Sequence, residues 1–152
     1  MGLKLTIELV PSTCWYSNMR KVLSGEQWDR LRRTVYKQWG YKCGICRADG
    51  MIHCHEIWHY NDTSHVQTLT GFIALCPMCH HVKHIGLAEL LASKGELDIE
   101  SVIQHFMKVN NCGRSEFYMH RAKSFRVWAE RSNHEWVTDL GGYDVQERAI
   151  QV

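Results

Sequence analysis

The sequence has no apolar run long enough to span a membrane and little excess of either charge. Over 152 residues the formal net charge is only +2, so charge alone assigns no class of partner. The opening MGLKLTIELV alternates polar and apolar residues, unlike the charged start and long apolar centre of a signal peptide. Internal repeats and low-complexity tracts are also lacking. We therefore expect a cytoplasmic, single-domain protein without a membrane partner.

Cysteine and histidine, by contrast, are abundant, with seven and ten residues. In a reducing compartment this many cysteines indicates metal ligands or free thiols rather than disulfides. Two Cys-x-x-Cys pairs can close a tetrahedral shell around a structural Zn²⁺, whereas a redox motif would explain only one pair. These cysteines are Cys43, Cys46, Cys76 and Cys79. A closed shell leaves no open position for water, so this site predicts a scaffold without chemistry of its own.

Hydrophobic periodicity predicts one strand followed by helices. Alternation over residues 3–9 predicts a half-buried N-terminal strand. A short helix is predicted from Leu87 to Lys94, ended by Gly95. Capping residues mark three further helix starts, at Ser24, Asp98 and Ser115. The predicted parts of the single domain are an N-terminal strand and helix (1–40), a core (41–88) and a C-terminal helical extension (89–152).

The helix after Ser24 carries basic residues away from its apolar stripe. Arg30, Arg33 and Lys37 occupy this basic face, with Arg32 beside them. Such a face is what a phosphate backbone needs, and an ordinary solvated helix face explains it equally well. Phosphate contacts carry no base information, so no sequence preference is predicted.

Histidines crowd the region between the first cysteine pair and residue 84. They are His53, His55, His59, His80, His81 and His84. A short helix is predicted from Cys79 to about Gly86. His80 and His84 are four residues apart, so on that helix they share one face and can bind one divalent cation together.

The order of these motifs resembles the zinc-containing HNH endonucleases of bacteria and phages. The matching elements are Cys-x-x-Cys, a strand with the pattern His-Glu-x-Trp-x-Tyr, and then Leu-Cys-Pro-x-Cys-His-x-Val-Lys-His-x-Gly. The segment Trp15-Tyr16-Ser17-Asn18-x-Arg20 also fits this subgroup. The resemblance implies an α+β fold: a ββα-metal core with a four-cysteine zinc knuckle, an N-terminal strand and helix, and C-terminal helical additions.

The resemblance also implies hydrolysis of phosphodiester bonds in DNA. His55 matches the general base that activates water, because a neutral imidazole suits that task. His80 and His84 match the residues that hold a catalytic Mg²⁺ or Mn²⁺. Lys83, beside them, is predicted either to touch phosphate or to be a plain solvated lysine.

Two positions depart from the family pattern. Cys54 stands where many members carry an Asp or His metal ligand, and Gly71 where many carry an Asn that helps orient the base. Glu56 or Asp62 can supply the missing carboxylate, although either can be an ordinary surface residue. Two other hypotheses therefore stay open: a catalytically silent zinc module that binds nucleic acid or protein, and a second structural zinc site. No feature demands a particular oligomeric state.

Overall fold

The structure is a computed structural model that describes residues 2–14 and 19–143, without the side chains at positions 20 and 21. Residues 15–18 of the family resemblance and 144–152 of the predicted extension lie outside the described residues. The elements in chain order are α1 (Met19–Val22), α2 (Gly25–Gln38), β1 (His53–Asn61), β2 (Val66–Leu75), α3 (Pro77–Lys83), α4 (Ile85–Ser93), α5 (Ile99–Asn110), α6 (Arg114–Arg131) and β3 (Val137–Asp139).

The sheet is built on a hairpin that leads directly into a helix. β1 and β2 pair antiparallel, and the short β3 adds to β2 in parallel, giving the order β1-β2-β3. In the hairpin turn, the Asn61 side chain accepts hydrogen bonds from the backbone N–H groups of Thr63 and Ser64, both at 3.0 Å. The mixed α and β class is confirmed, and α3 follows β2 after a single residue.

The two faces of the hairpin pack against different helices. Leu75 belongs to the larger apolar cluster, together with residues of α3, α4, α5 and α6. Phe72 and Leu69 belong to a second cluster with Leu31 and Val35 of α2. Because successive strand residues point to opposite faces, neighbouring residues of β1 are also divided between these two environments.

The predicted start of α2 is confirmed. The Ser24 hydroxyl accepts from the backbone N–H of Gln27 at 3.1 Å, and the Gln27 side chain accepts from the Ser24 backbone at 3.0 Å. This reciprocal pair satisfies two backbone donors that a helix start leaves open. Beyond the helix, Gly40 has φ +66°, a left-handed conformation that suits glycine and ends the helix.

The N-terminal strand expected over residues 3–9 is not formed. Leu5 and Ile7 are buried as the alternation predicted, but their backbone N–H groups bond to side chains. The Leu5 N–H donates to Asn110 Oδ1 at 2.8 Å, and the Ile7 N–H to His120 Nε2 at 2.9 Å. The segment therefore lies against α5 and α6 rather than beside another strand. The alternation of polar and apolar residues correctly indicated which side chains are buried, but it did not show whether the backbone pairs with another strand.

The C-terminal helices agree with the expectations in part. Asp98 caps α5 as predicted, accepting from the Glu100 backbone at 3.1 Å. The cap expected at Ser115 is wrong: the N-cap of α6 is Gly113, two residues earlier, and its N–H donates to the Glu116 carboxylate at 3.0 Å. The helix expected to end near Gly86 and the helix expected to begin at Leu87 correspond to α3 and α4, which meet at His84.

None of the described helices has the length and apolarity to cross a bilayer.

Replacing Ser24 with alanine should lower the free energy of unfolding by about 1 kcal/mol, because the N-terminal amides of α2 lose an acceptor. Urea denaturation followed by circular dichroism measures this change. Ser115→Ala is the matched control and should stay within about 0.5 kcal/mol of the unsubstituted protein, because Ser115 lies inside α6 on an exposed face. Equal losses in both variants would contradict the assignment of these caps.

Candidate functional site

Four cysteines from distant parts of the chain converge on one point. Cys43 and Cys46 lie in the loop between α2 and β1, whereas Cys76 is the N-cap of α3 and Cys79 lies in its first turn. Their sulfur atoms all lie within 4.8 Å of one another, and Cys46 Sγ and Cys76 Sγ are 3.6 Å apart. The predicted grouping is confirmed, and a four-sulfur set of this size can hold a metal such as zinc.

Backbone N–H groups point at the sulfurs. The Ile45 N–H donates to Cys43 Sγ at 3.4 Å, and the Cys79 N–H to Cys76 Sγ at 3.4 Å. Burial acts to raise the pKa of Cys43, but backbone N–H groups outweigh it and lower that pKa to about 7. Burial and the neighbouring sulfurs raise the pKa of Cys79. Several thiolates crowded together need a compensating cation, which a bound Zn²⁺ supplies.

His105 joins this group from α5. Its Nε2 lies 3.2 Å from Cys79 Sγ, the distance of an N–H···S hydrogen bond. Partners of this kind orient metal ligands and tune their basicity. Nothing in the sequence singled out His105, because it is a lone histidine 26 residues from its partner.

Replacing Cys46 with alanine should remove the bound metal and lower the melting temperature by roughly 10 °C or more, because the shell loses one of its four ligands. Metal analysis of the purified protein and a thermal melt measure both effects. Cys112→Ala is the control: this half-buried cysteine lies outside the four-sulfur group, so full metal content is expected. Retention of metal by the Cys46 variant would contradict the site.

A second group is formed by three histidines. His55 lies on β1, His80 on α3, and His84 at the C-terminal end of α3. One nitrogen from each ring lies within 4.8 Å of the other two. The ring centroids are separated by 5.4 Å for His55 and His80, 5.0 Å for His55 and His84, and 4.8 Å for His80 and His84. The three nitrogens can share one cation.

Burial keeps two of these rings uncharged. It lowers the pKa of His80 to about 3, with nearby His84 and His55 adding to the effect. It lowers the pKa of His84 to about 4, again with His55 contributing. Both imidazoles are therefore neutral at pH 7, which is the form that binds a metal ion. His53 adds a fourth ring, stacked on His80 at 5.1 Å.

Glu8 and Lys83 border the three histidines. The Glu8 carboxylate contacts His55 Nε2 at 3.1 Å and Lys83 Nζ at 2.9 Å. Lys83 also donates to the Thr6 hydroxyl at 3.1 Å and is only 6% exposed. This arrangement differs from both expectations for Lys83, since its ammonium is neither solvated nor directed to an external phosphate. No motif in the sequence pointed to Glu8.

The two carboxylates expected to complete the site lie outside the group of three histidines. Glu56 accepts from the Met19 backbone N–H at 2.8 Å, and Asp62 pairs with Arg131 at 2.8 Å on the exposed turn. Among the described side chains, neither belongs to the histidine group. The geometry of β1 explains both positions. Glu56 is adjacent to His55 and therefore points to the opposite face of the strand, and Asp62 lies beyond the end of β1.

The two departures from the family pattern are also displaced from the histidines. Cys54 packs with the α2 cluster on the other face of β1, and burial raises the pKa of its thiol to about 12. Among the described residues, the partly buried Cys54 belongs to neither group of candidate metal ligands. Gly71 lies on β2 opposite Ile57, next to a β-bulge, and contributes no side chain to the site.

A cleft of about 1040 Å³ opens over the histidine group. Its walls come from β1, α2, α4, α6 and the N-terminal segment, and they include Trp28, Arg32, Tyr36, Trp58, Tyr60 and Arg131. Arg30, Arg33 and Lys37 are exposed on α2 but are not part of this lining. Of the basic residues of α2, Arg32 is the one that lines the cleft.

Comparisons of this chain with protein-family models, curated proteins and solved structures found no match. The resemblance to HNH endonucleases therefore stays an expectation based on the motifs.

Stability should depend on pH through Glu56. Burial raises its pKa to about 7, against the opposing Met19 hydrogen bond, so the folded protein favours the protonated carboxyl. We compare the free energy of unfolding of the unsubstituted protein with that of Glu56→Gln. The contribution of the protonated Glu56 carboxyl is fully present below the unfolded pKa, near 4.5, and is lost as pH rises through about 7. Between pH 4.5 and 8 we expect a relative loss on the order of 2 kcal/mol. Urea denaturation at both pH values measures it.

The control for this experiment is Glu96→Gln, which alters an exposed carboxylate. Its stability should follow that of the unsubstituted protein across the pH range. A Glu56→Gln variant that does the same would show that the Glu56 carboxyl is not buried.

Proposed function

We propose that this protein is a metal-dependent HNH endonuclease that hydrolyses phosphodiester bonds in DNA. The observation that carries the proposal is the meeting of His55, His80 and His84 between a strand and the helix that follows the hairpin. Sequence motifs supplied these three residues as one base and two metal ligands. The proposal is supported by their geometry, since one nitrogen from each ring lies within 4.8 Å of the other two and the three rings line an open cleft.

His80 and His84 would hold the cation, since both are neutral and share one side of α3. A donor set of imidazoles without a free carboxylate favours a transition-metal ion over Mg²⁺, which prefers oxygen. When bound, the cation would stabilise negative charge on the phosphate and on the leaving 3′ oxygen.

His55 would act as the general base. Its ring is buried, with 6% exposure, and it lies beside both proposed metal-binding histidines. A neutral imidazole there accepts a proton from water as the water oxygen bonds to phosphorus and the bond from phosphorus to the 3′ oxygen breaks.

The cleft would hold the nucleic acid strand. Aromatic side chains such as Trp58 and Tyr36 offer surfaces for bases or sugars, and Arg32 offers positive charge. Arg30, Arg33 and Lys37 would extend the contact along the outer face of α2 to more distant phosphates.

One observation favours a second candidate. All three histidines offer a nitrogen to the same point, so they can also form a second structural zinc site with His55 as a ligand rather than a base. Such a protein would be a zinc-stapled binding module without hydrolytic activity.

Supercoiled plasmid incubated with the protein and Mg²⁺, Mn²⁺ or Ni²⁺ should be nicked, and His55→Ala or His80→Ala should slow nicking by at least ~100-fold, because the base or a metal ligand is lost. Gel electrophoresis over time measures the rate. His81→Ala is the matched control, because His81 neighbours His80 on α3 but lies outside the group of three. It should nick at nearly the unsubstituted rate.

Metal content separates the two candidates. One tightly held zinc per chain and an exchangeable second cation agree with the nuclease. Two zinc ions that survive dialysis, together with no nicking in any of the three metals, would overturn it in favour of the binding module.

A further inference from the structure

We propose that Glu8 is a positioning residue that holds His55 in the Nε2-protonated tautomer, so that Nδ1 is left free to act in the site. This inference rests on the proposed function for its catalytic consequence. The tautomer itself is a property of the folded protein and is measured independently of activity.

The contact between Glu8 and His55 decides which ring nitrogen carries the proton. Glu8 Oε1 lies 3.1 Å from His55 Nε2. An ionised carboxylate only accepts hydrogen bonds, so Nε2 must be the donor, and a neutral ring then carries its lone pair on Nδ1. Nδ1 is thus the nitrogen that can take a proton from water or face a cation.

The charge state of Glu8 supports this assignment. Burial acts to raise the pKa of Glu8, but the hydrogen bonds from His55 and Lys83 and the Lys83 charge outweigh it, and the pKa falls to about 2. At neutral pH the group is a carboxylate. It is therefore an acceptor throughout the range in which the protein would work.

Glu8 is itself held from two directions. Its backbone N–H donates to the Lys83 carbonyl at 3.0 Å, and its second carboxylate oxygen accepts from Lys83 Nζ at 2.9 Å. Lys83 is buried at the end of α3, the helix that carries His80 and precedes His84. The N-terminal segment and the metal helix are thus joined at the residue that orients the proposed base.

Neither Gly71 nor Glu56 can orient the His55 ring in place of Glu8. Gly71 has no side chain, and Glu56 accepts from the Met19 backbone rather than from a histidine. Among the described carboxylates, Glu8 is the one within hydrogen-bonding distance of His55. A carboxylate that fixes the tautomer of a functional histidine commonly contributes 10- to 100-fold to affinity or rate.

The test uses the full-length, zinc-loaded protein labelled with ¹⁵N. Long-range ¹H–¹⁵N correlation spectra report the tautomer of each imidazole, and the His55 signals are identified by their loss in His55→Ala. The unsubstituted protein should show His55 protonated on Nε2. Glu8→Ala should show a mixture of tautomers and a kcat for plasmid nicking lowered ~10- to 100-fold, with KM unchanged.

The control is Glu89→Ala, which removes another carboxylate that pairs with a cation, Arg121, at 2.6 Å and away from the histidines. It should keep both the His55 tautomer and the nicking rate. The same losses in Glu89→Ala would overturn the proposal, since general loosening would then explain them. An Nδ1-protonated His55 in the unsubstituted protein would overturn it even if Glu8→Ala fails to fold. If the protein does not nick DNA, the proposed function fails. The His55 tautomer measured by NMR still tests whether Glu8 orients the ring.

Discussion

The four-cysteine group is the constraint on which the rest of the site depends. It joins the loop after α2 to the first turn of α3, two parts of the chain separated by the whole hairpin. The Gly44 N–H donates to the Ala74 carbonyl at 2.7 Å, and a Cβ on Gly44 would lie 2.6 Å from Ile73. The loop therefore lies directly on β2, so α3 begins at a defined place beside β1. From that start, His80 and His84 reach His55.

Because side chains alternate along β1, its histidines and its packing residues lie on opposite faces of the strand. His53 and His55 face α3, whereas Cys54 packs against the α2 cluster. The position where the family pattern has a metal ligand is thereby a partly buried residue packed against the α2 cluster. The register shifts after Ile57 because β2 carries one extra residue, Thr70, between the partners of Ile57 and Trp58. Burial lowers the pKa of His80 and of His84, so both rings are neutral at pH 7 and suited to metal binding.

The flanking segments support this centre rather than forming separate units. Asn110 of α5 holds the N-terminal segment by hydrogen bonds to the backbone of Lys4 and Leu5, and that segment brings Glu8 to His55. His105, also on α5, contacts the four-cysteine group. One C-terminal helix thus reaches the sulfur site directly and the histidine site through the N-terminal segment. The environment of each site is set by long-range contacts.

The sequence by itself determined the local features: the capped start of α2, the spacing within each Cys-x-x-Cys motif, and the shared face of His80 and His84. These depend on spacing and side-chain chemistry along a few residues. Only the tertiary structure decided that Glu8, His105 and Lys83 border the sites and that Glu56 and Asp62 do not. The physical reason is distance along the chain. Contacts between residues tens of positions apart depend on how helices and strands pack, and a local sequence pattern does not predict that packing.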